Sequence, residues 1–196
     1  MLDLPSPLLP LLAQIVIDNA VLEPKVRALF APAVENCFAQ LGWDAQPDDA
    51  HLTTMHRADI IGLLSRFSDS EAVLAEAKTR FAAVVEDVND TKACPTDYRV
   101  AVFKMAMKQG DAATFEQLMD IYNRCDNNAQ RKHVMHALGS APSLALKTRV
   151  LDWTTNEVKL QDFFYPILSG TVCDWTLLRL APYLCLLARL LACLVR

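Results

Sequence analysis

The sequence predicts an all-α fold, with antiparallel helix pairs stacked as an irregular α-solenoid of the HEAT or armadillo kind. Three observations carry this expectation. Apolar residues recur every three or four positions, and no segment shows the sustained alternation of a half-buried strand. Turn and capping residues leave only short connections between helices, which favours antiparallel neighbours. The helix pairs repeat at roughly 30 to 45 residues, in the range of helical solenoids. With 196 residues, 53% of them apolar, the chain can bury about 70% of its unfolded surface and hold a real core.

The organising stretch runs from Cys94 to Gly139 and reads as three short helices in succession. Pro95 suits a first helical position, and Gly110 is expected to end the first helix as a left-handed residue. Asp111 is a ready N-cap for the next, where Phe115, Leu118, Met119, Tyr122 and Cys125 form one apolar stripe. A polar break at Asp126 to Asn128 precedes a third helix, Ala129 to Leu138, which Gly139 closes. In the first helix Val100 to Met107 is apolar apart from Lys104, so Arg99, Lys104 and Lys108 are expected to face water while the rest packs between layers.

Before this unit, Leu8 to Asn19 is apolar enough for a buried or partial helix, and Glu23 to Leu41 is the first clear one. Its inward residues are expected to be Val26, Leu29, Phe30, Val34, Cys37, Phe38 and Leu41. Pro32 should kink or split it, Gly42 should end it, and Trp43 should fold back on the hairpin. Asp48 or Asp49 can cap the following helix, which runs to about Phe67 with Leu52, Met55, Ile60, Leu63 and Leu64 inward. Ser68 and Glu71 have capping-box spacing for a helix from Ser70 to about Val88, with Val73, Leu74, Ala77, Phe81, Val84 and Val85 inward. After Gly139, helices are expected at about Ser143 to Thr155 and Val158 to Ile167.

Charge and composition exclude several functions. A net charge of −4 and a pI near 5.5 argue against a nucleic-acid partner, which requires clustered Lys and Arg. The densest basic cluster, Arg131, Lys132 and His133, reads as a solvated helix face. Six cysteines without C-x-x-C spacing are expected to be reduced and mostly buried, and Met1 to Pro10 lacks the positive region of a signal peptide. Cytosol is therefore the expected compartment. No G-x-S-x-G, P-loop or G-x-G-x-x-G is present. His133 and His136, at i and i+3, offer at most a two-ligand metal half-site, and read more simply as two polar residues on an exposed turn.

The order Tyr98, Val102, Ala106, Gly110, Phe115, Leu118, Tyr122, Arg131, Ala137 and Leu138-Gly139 resembles the C-terminal helical domain of zinc aminopeptidases of the puromycin-sensitive and endoplasmic-reticulum type. Leu41-Gly42-Trp43 with His51-Leu52 and Arg57, the segment Ala75 to Phe81, Trp153 and Gln161-Asp162 extend the likeness over about Ala13 to Val172. Residues 1–172 are thus expected to form part of such a domain. Gln130 stands where the family commonly has Glu before the basic residue.

The resemblance implies a bowl of helix pairs that closes over a separate catalytic domain and receives the peptide substrate. In the family, zinc is held there by H-E-x-x-H and a distal Glu, and a G-x-M-E-N loop grips the substrate amino terminus; neither motif occurs in this chain. Catalytic and metal residues are thus expected to be none here, with zinc a cofactor of the parent enzyme. Arg57 matches a family position and is the candidate substrate-binding residue, either meeting the peptide's carboxyl end or pairing with an acid. A stand-alone helical-repeat module that binds a peptide or protein is the alternative.

Residues 173–196 depart from the family in a Leu-, Cys- and Arg-rich tail. Three origins fit it: a membrane anchor over Thr176 to Val195, opposed by Arg179 and Arg189; a substitute helix covering the open end of the solenoid; or a reading frame that has left the family's coding sequence.

Overall fold

A computed structural model describes residues 21–167, and the described residues form helices joined by loops, without strands. Eight α-helices run in order: α1 Leu22–Leu41, α2 His51–Phe67, α3 Glu71–Glu86, α4 Arg99–Lys108, α5 Ala112–Arg124, α6 Asn128–Leu138, α7 Leu144–Asn156 and the single turn α8 Phe164–Pro166. Short 3-10 turns at Thr96–Tyr98 and Leu160–Asp162 precede α4 and α8. The expected helix over Val158 to Ile167 is therefore two separate turns. The segment Leu8 to Asn19, the boundary at 172/173 and the tail lie outside the described residues.

Consecutive helices pair: α1 packs on α2, α3 on α4 and α5 on α6. The pairs join through their second members, since α4 lies between α2 and α6, and α8 continues along α6. On the other side α3 lies beside α5, and α7 meets α5 through Tyr122 and Trp153, whose rings stand edge to face at 5.1 Å. Two rows result: α2, α4, α6 and α8 on one side, and α1, α3, α5 and α7 on the other.

The core lies between the rows, and α4 is its centre. Ala101, Val102, Phe103, Met105 and Met107 are buried on nearly all sides of α4, which packs against α2, α3, α5 and α6. Phe103 meets Phe81 of α3 edge to face at 5.7 Å. A helix apolar around most of its circumference has no stable place but between layers. Ile60, Ile61 and Leu64 of α2, Ala77 and Val84 of α3, Leu118 and Ile121 of α5 and Val134 and Leu138 of α6 complete the interior.

Several local expectations fail for identifiable reasons. Pro32 does not split α1, which is continuous from Leu22 to Leu41. Leu29 of α1 is exposed; Leu52 and Met55 of α2 are exposed too, because α2 turns the stripe of Arg57, Ile60, Ile61, Leu64 and Phe67 inward instead. Neither Asp48 nor Asp49 caps α2, whose N-cap is Ala50 without a side-chain bond. Ser68 forms no capping box: its hydroxyl donates to Glu35 Oε1 at 2.6 Å and accepts from the backbone N–H of Ser70. Gly110 is not left-handed. A Cβ there would stand 2.7 Å from Thr114 Cβ and 2.9 Å from the Ala106 carbonyl oxygen, so glycine is required for close approach.

Candidate functional site

The chain leaves α1 through Gly42, whose φ of 64° and ψ of −175° suit only glycine and whose N–H donates to the Phe38 carbonyl at 2.7 Å. This reversal brings Trp43 back onto the hairpin. Its ring stands 5.5 Å from Phe38 and 6.2 Å from Tyr98, and its carbonyl accepts from the Tyr98 hydroxyl at 3.0 Å. The acidic loop that follows lies over two buried arginines.

Arg57 is 2% exposed on α2. Its Nη2 donates to Asp49 Oδ2 at 2.5 Å and its Nε to the Leu41 carbonyl at 3.2 Å. Nη1 is buried with no hydrogen-bond partner. The Gln46 N–H, 2.7 Å from Asp49 Oδ2, and then the Arg57 guanidinium hold the Asp49 carboxyl below the usual carboxylate range. Of the two roles expected for Arg57, pairing with an acid is the one the geometry contains; a donor remains unused.

Two further buried arginines, Arg80, which no sequence motif marks, and Arg99, expected from the sequence to face water, hold the same end of the molecule. Arg80 of α3 donates to both oxygens of Asp44 at 2.9 and 3.1 Å, to Glu76 at 2.8 Å and to the Ala93 carbonyl at 2.8 Å, with its guanidinium 5.1 Å from the Trp43 ring centre. Arg99 does not face water. It is 1% exposed and donates to the carbonyls of Cys94, Val88 and Asp90 at 3.0, 2.7 and 3.0 Å. The loop from Val88 to Cys94 folds around it because its own carbonyls need donors once buried. The available signal was an arginine opening an apolar helix directly after an Asp- and Asn-rich loop.

Burial raises the Cys94 thiol to about 11 and the Tyr98 hydroxyl to about 12. Cys37, Cys94 and Cys125 are free thiols, and Cys94 and Cys125 are buried. This end of the molecule has groups to bind a carboxylate but, among the described residues, no activated thiolate or general base with a pKa brought near neutrality.

The second cluster lies along α4 and α6. Arg131, Lys132 and His133 do not form a solvated face, and all are half-buried. Arg131 Nε donates to the Cys125 carbonyl at 2.9 Å, its guanidinium 5.6 Å from the Tyr122 ring centre, and Lys132 Nζ lies 4.8 Å from that of Tyr165. His133 and His136 are not on an exposed turn. Burial depresses both imidazoles, His136 to about 4 with help from Lys104 and His133, and His136 packs edge to face on Tyr165 at 5.1 Å. Lys104 is half-buried and falls to about 8, through burial and the neighbouring Arg66. The described residues contain no group of three or more His, Cys, Asp or Glu placed to hold a metal, so they do not fit a catalytic zinc.

The described residues form an all-helical domain in which buried arginines clamp the loops between helix pairs. Residues 9–172 match the family model of the ERAP1-like C-terminal domain, and the chain belongs to that family, the C-terminal domain of M1 aminopeptidases. It is 30% identical over 156 residues to aminopeptidase M1 of Arabidopsis thaliana, which covers 78% of this chain and 17% of that protein. Glutamyl aminopeptidase of Bos taurus is 27% identical over 150 residues, covering 75% and 15%. Aminopeptidase 2 of Candida albicans is 28% identical over 130 residues, covering 65% and 14%. The chain thus spans less than a fifth of these relatives.

Proposed function

We propose that this chain is a non-catalytic part of the C-terminal helical domain of a zinc aminopeptidase, where it covers the active site of a separate catalytic domain and binds or selects the peptide substrate. One observation carries this: residues 9–172 match the C-terminal domain family while H-E-x-x-H is missing from the whole sequence. The joining of the helix pairs through α2, α4 and α6 supports reading them as an irregular α-solenoid, whose extended face suits an elongated ligand. Free thiols at Cys37, Cys94 and Cys125 suit a reducing compartment such as the cytosol.

In this function Arg57, buried and paired with Asp49, meets a carboxylate of the peptide only when the acidic loop over it moves aside. Hydrolysis and zinc belong to the catalytic domain of the parent enzyme. No helix among the described residues is long and apolar enough to cross a membrane.

A graft tests the function. Residues 21–167 replace the aligned segment of a full-length relative, and kcat/KM is measured for a nine-residue peptide and for a single aminoacyl amide. A domain that selects peptides changes KM for the long substrate and leaves the amide unaffected. Equal changes for both substrates, or none for either, would contradict it.

A further inference from the structure

The three buried arginines at the Trp43 end of the molecule are not equally satisfied. Arg80 engages all three guanidinium nitrogens: Nε with Glu76, Nη1 with the Ala93 carbonyl and Nη2 with Asp44. Arg99 does the same with the Cys94, Val88 and Asp90 carbonyls. Arg57 engages two, Nε with the Leu41 carbonyl and Nη2 with Asp49, and its Nη1 is buried without a partner. A guanidinium donor taken out of water without an acceptor is costly, so a third acceptor there would be strongly favoured.

The acid on Arg57 uses one oxygen. Asp49 Oδ2 accepts from Arg57 Nη2 at 2.5 Å and from the Gln46 N–H at 2.7 Å, so the pair has one prong where a guanidinium can offer a two-pronged fork. Asp49 ends a short segment, Asp44 to Asp49, that joins Trp43 to the start of α2. Asp44 to Asp48 are exposed, and the Asp49 N–H bonds the Gln46 carbonyl within the segment at 3.1 Å. Two carboxylates fasten it to the helices, Asp44 on Arg80 and Asp49 on Arg57. The Asp44 side chain is 65% exposed, and water weakens its hold. The segment can therefore lift away while Trp43 stays packed on Phe38 and Tyr98.

We infer that Asp44 to Asp49 is an autoinhibitory strap: Asp49 occupies Arg57 in place of a ligand carboxylate, and a carboxylate that takes Nη1 and Nη2 together displaces it. This rests on the peptide-binding function proposed above and adds the regulation of its site. The exchange turns a one-oxygen pair into a two-oxygen pair and gives the orphaned donor its acceptor, which Asp49, tied to Gln46, does not reach. Without ligand the strap closes, because a tethered carboxylate competes for Arg57 at high effective concentration.

The test is fluorescence anisotropy on the full 196-residue chain with three labelled peptides of Ala and Gln. One ends in a free carboxylate, one in an amide, and one in an amide with a single central Glu. Asp49→Asn is expected to raise affinity about tenfold for at least one of the two carboxylate peptides, which names the source of the carboxylate, and less than about twofold for the third. Asp48→Asn removes the same charge from the exposed neighbour and leaves all three within about twofold. In the wild type, saturation with the carboxylate peptide that binds is expected to speed amide hydrogen exchange over residues 45–49 about tenfold. This second arm needs no substitution and decides the matter if Asp49→Asn does not fold. Exchange that slows or stays unchanged, or an Asp49→Asn variant that gains equally for all three peptides or for none, overturns the strap and leaves the peptide-binding function standing. Failure of the wild type and the variant to bind any of the three overturns both.

Discussion

The two rows of helices solve the problem of buried charge in opposite ways. In α1, α3, α5 and α7 seven Lys or Arg stand among eight Asp or Glu, and the cations find acids nearby: Arg27 with Glu23 and Asp69, Arg80 with Glu76 and Asp44, Arg149 with Glu116. In α2, α4 and α6 acids are nearly missing, so Arg57 and Lys108 reach to the loop acids Asp49 and Asp69, while other cations turn to backbone carbonyls, to aromatic rings, or give up their protons more readily. The first row neutralises most of its cations on its own helices or the adjoining loops, and the second reaches to loops, carbonyls and rings for partners its helices lack.

The largest expected difference between the rows lies at Arg99. Arg99→Met removes the donor shared by three loop carbonyls and should destabilise the fold by about 3 kcal/mol or more, read from a urea midpoint. A loss below about 1 kcal/mol would mean that the Val88 to Cys94 loop holds itself.

Next comes acid. The imidazole of His136 has an ordinary value of 6.5 and a folded value of about 4, so the unfolded chain binds its proton first. Stability from this group is complete above pH 6.5 and is lost as pH falls towards 4, by about 1 to 3 kcal/mol. Carboxylates titrate in the same range, so the measurement is the difference between the wild type and His136→Phe at pH 7 and pH 4.5. The variant should lose less on acidification.

Lys104 gives a smaller effect of opposite direction. Its ammonium is disfavoured in the fold, a penalty fully present below pH 8 and gone by about 10.5. Lys104→Met should therefore stabilise the isolated chain by about 1 kcal/mol at pH 7, with the gain shrinking as pH rises through that window. The smallest effect belongs to the mixed row: Glu116→Gln breaks an exposed pair with Arg149 and should change stability by less than about 0.5 kcal/mol. A larger loss there would erase the contrast between the rows.

Features that depend on neighbours in sequence were legible. Asp111 caps its helix as the sequence reads, accepting from N–H groups two and three residues on; Asn127 and Ser143 do the same at the polar break and helix start read there. The buried circumference of α4 was legible for the same reason, since an unbroken apolar run leaves few alternatives. Features settled across the fold were not. Ser68 forsakes the local cap for Glu35, 33 residues away, and Asp49 forsakes its cap for Arg57. Arg99 read as a surface residue because charge usually marks solvent, and only the folded loop supplies the three carbonyls that make its burial tolerable.

The candidate site was legible in part. Arg57 was found through its place in a family pattern, and its burial and its acid partner followed from the structure. Arg80 and Lys104 belong to no short motif, so only the side-by-side packing of helices far apart in sequence gives them meaning.

One experiment tests the central claim, that this chain holds peptides and leaves their hydrolysis to another domain. The full chain is mixed with zinc and an excess of a nine-residue peptide, and bound and free peptide are separated and weighed by mass spectrometry. The account predicts that bound peptide is retained at its full mass. Release of the amino-terminal residue by purified chain, lost on chelation of zinc, would contradict it, as would the complete failure of the peptide to bind.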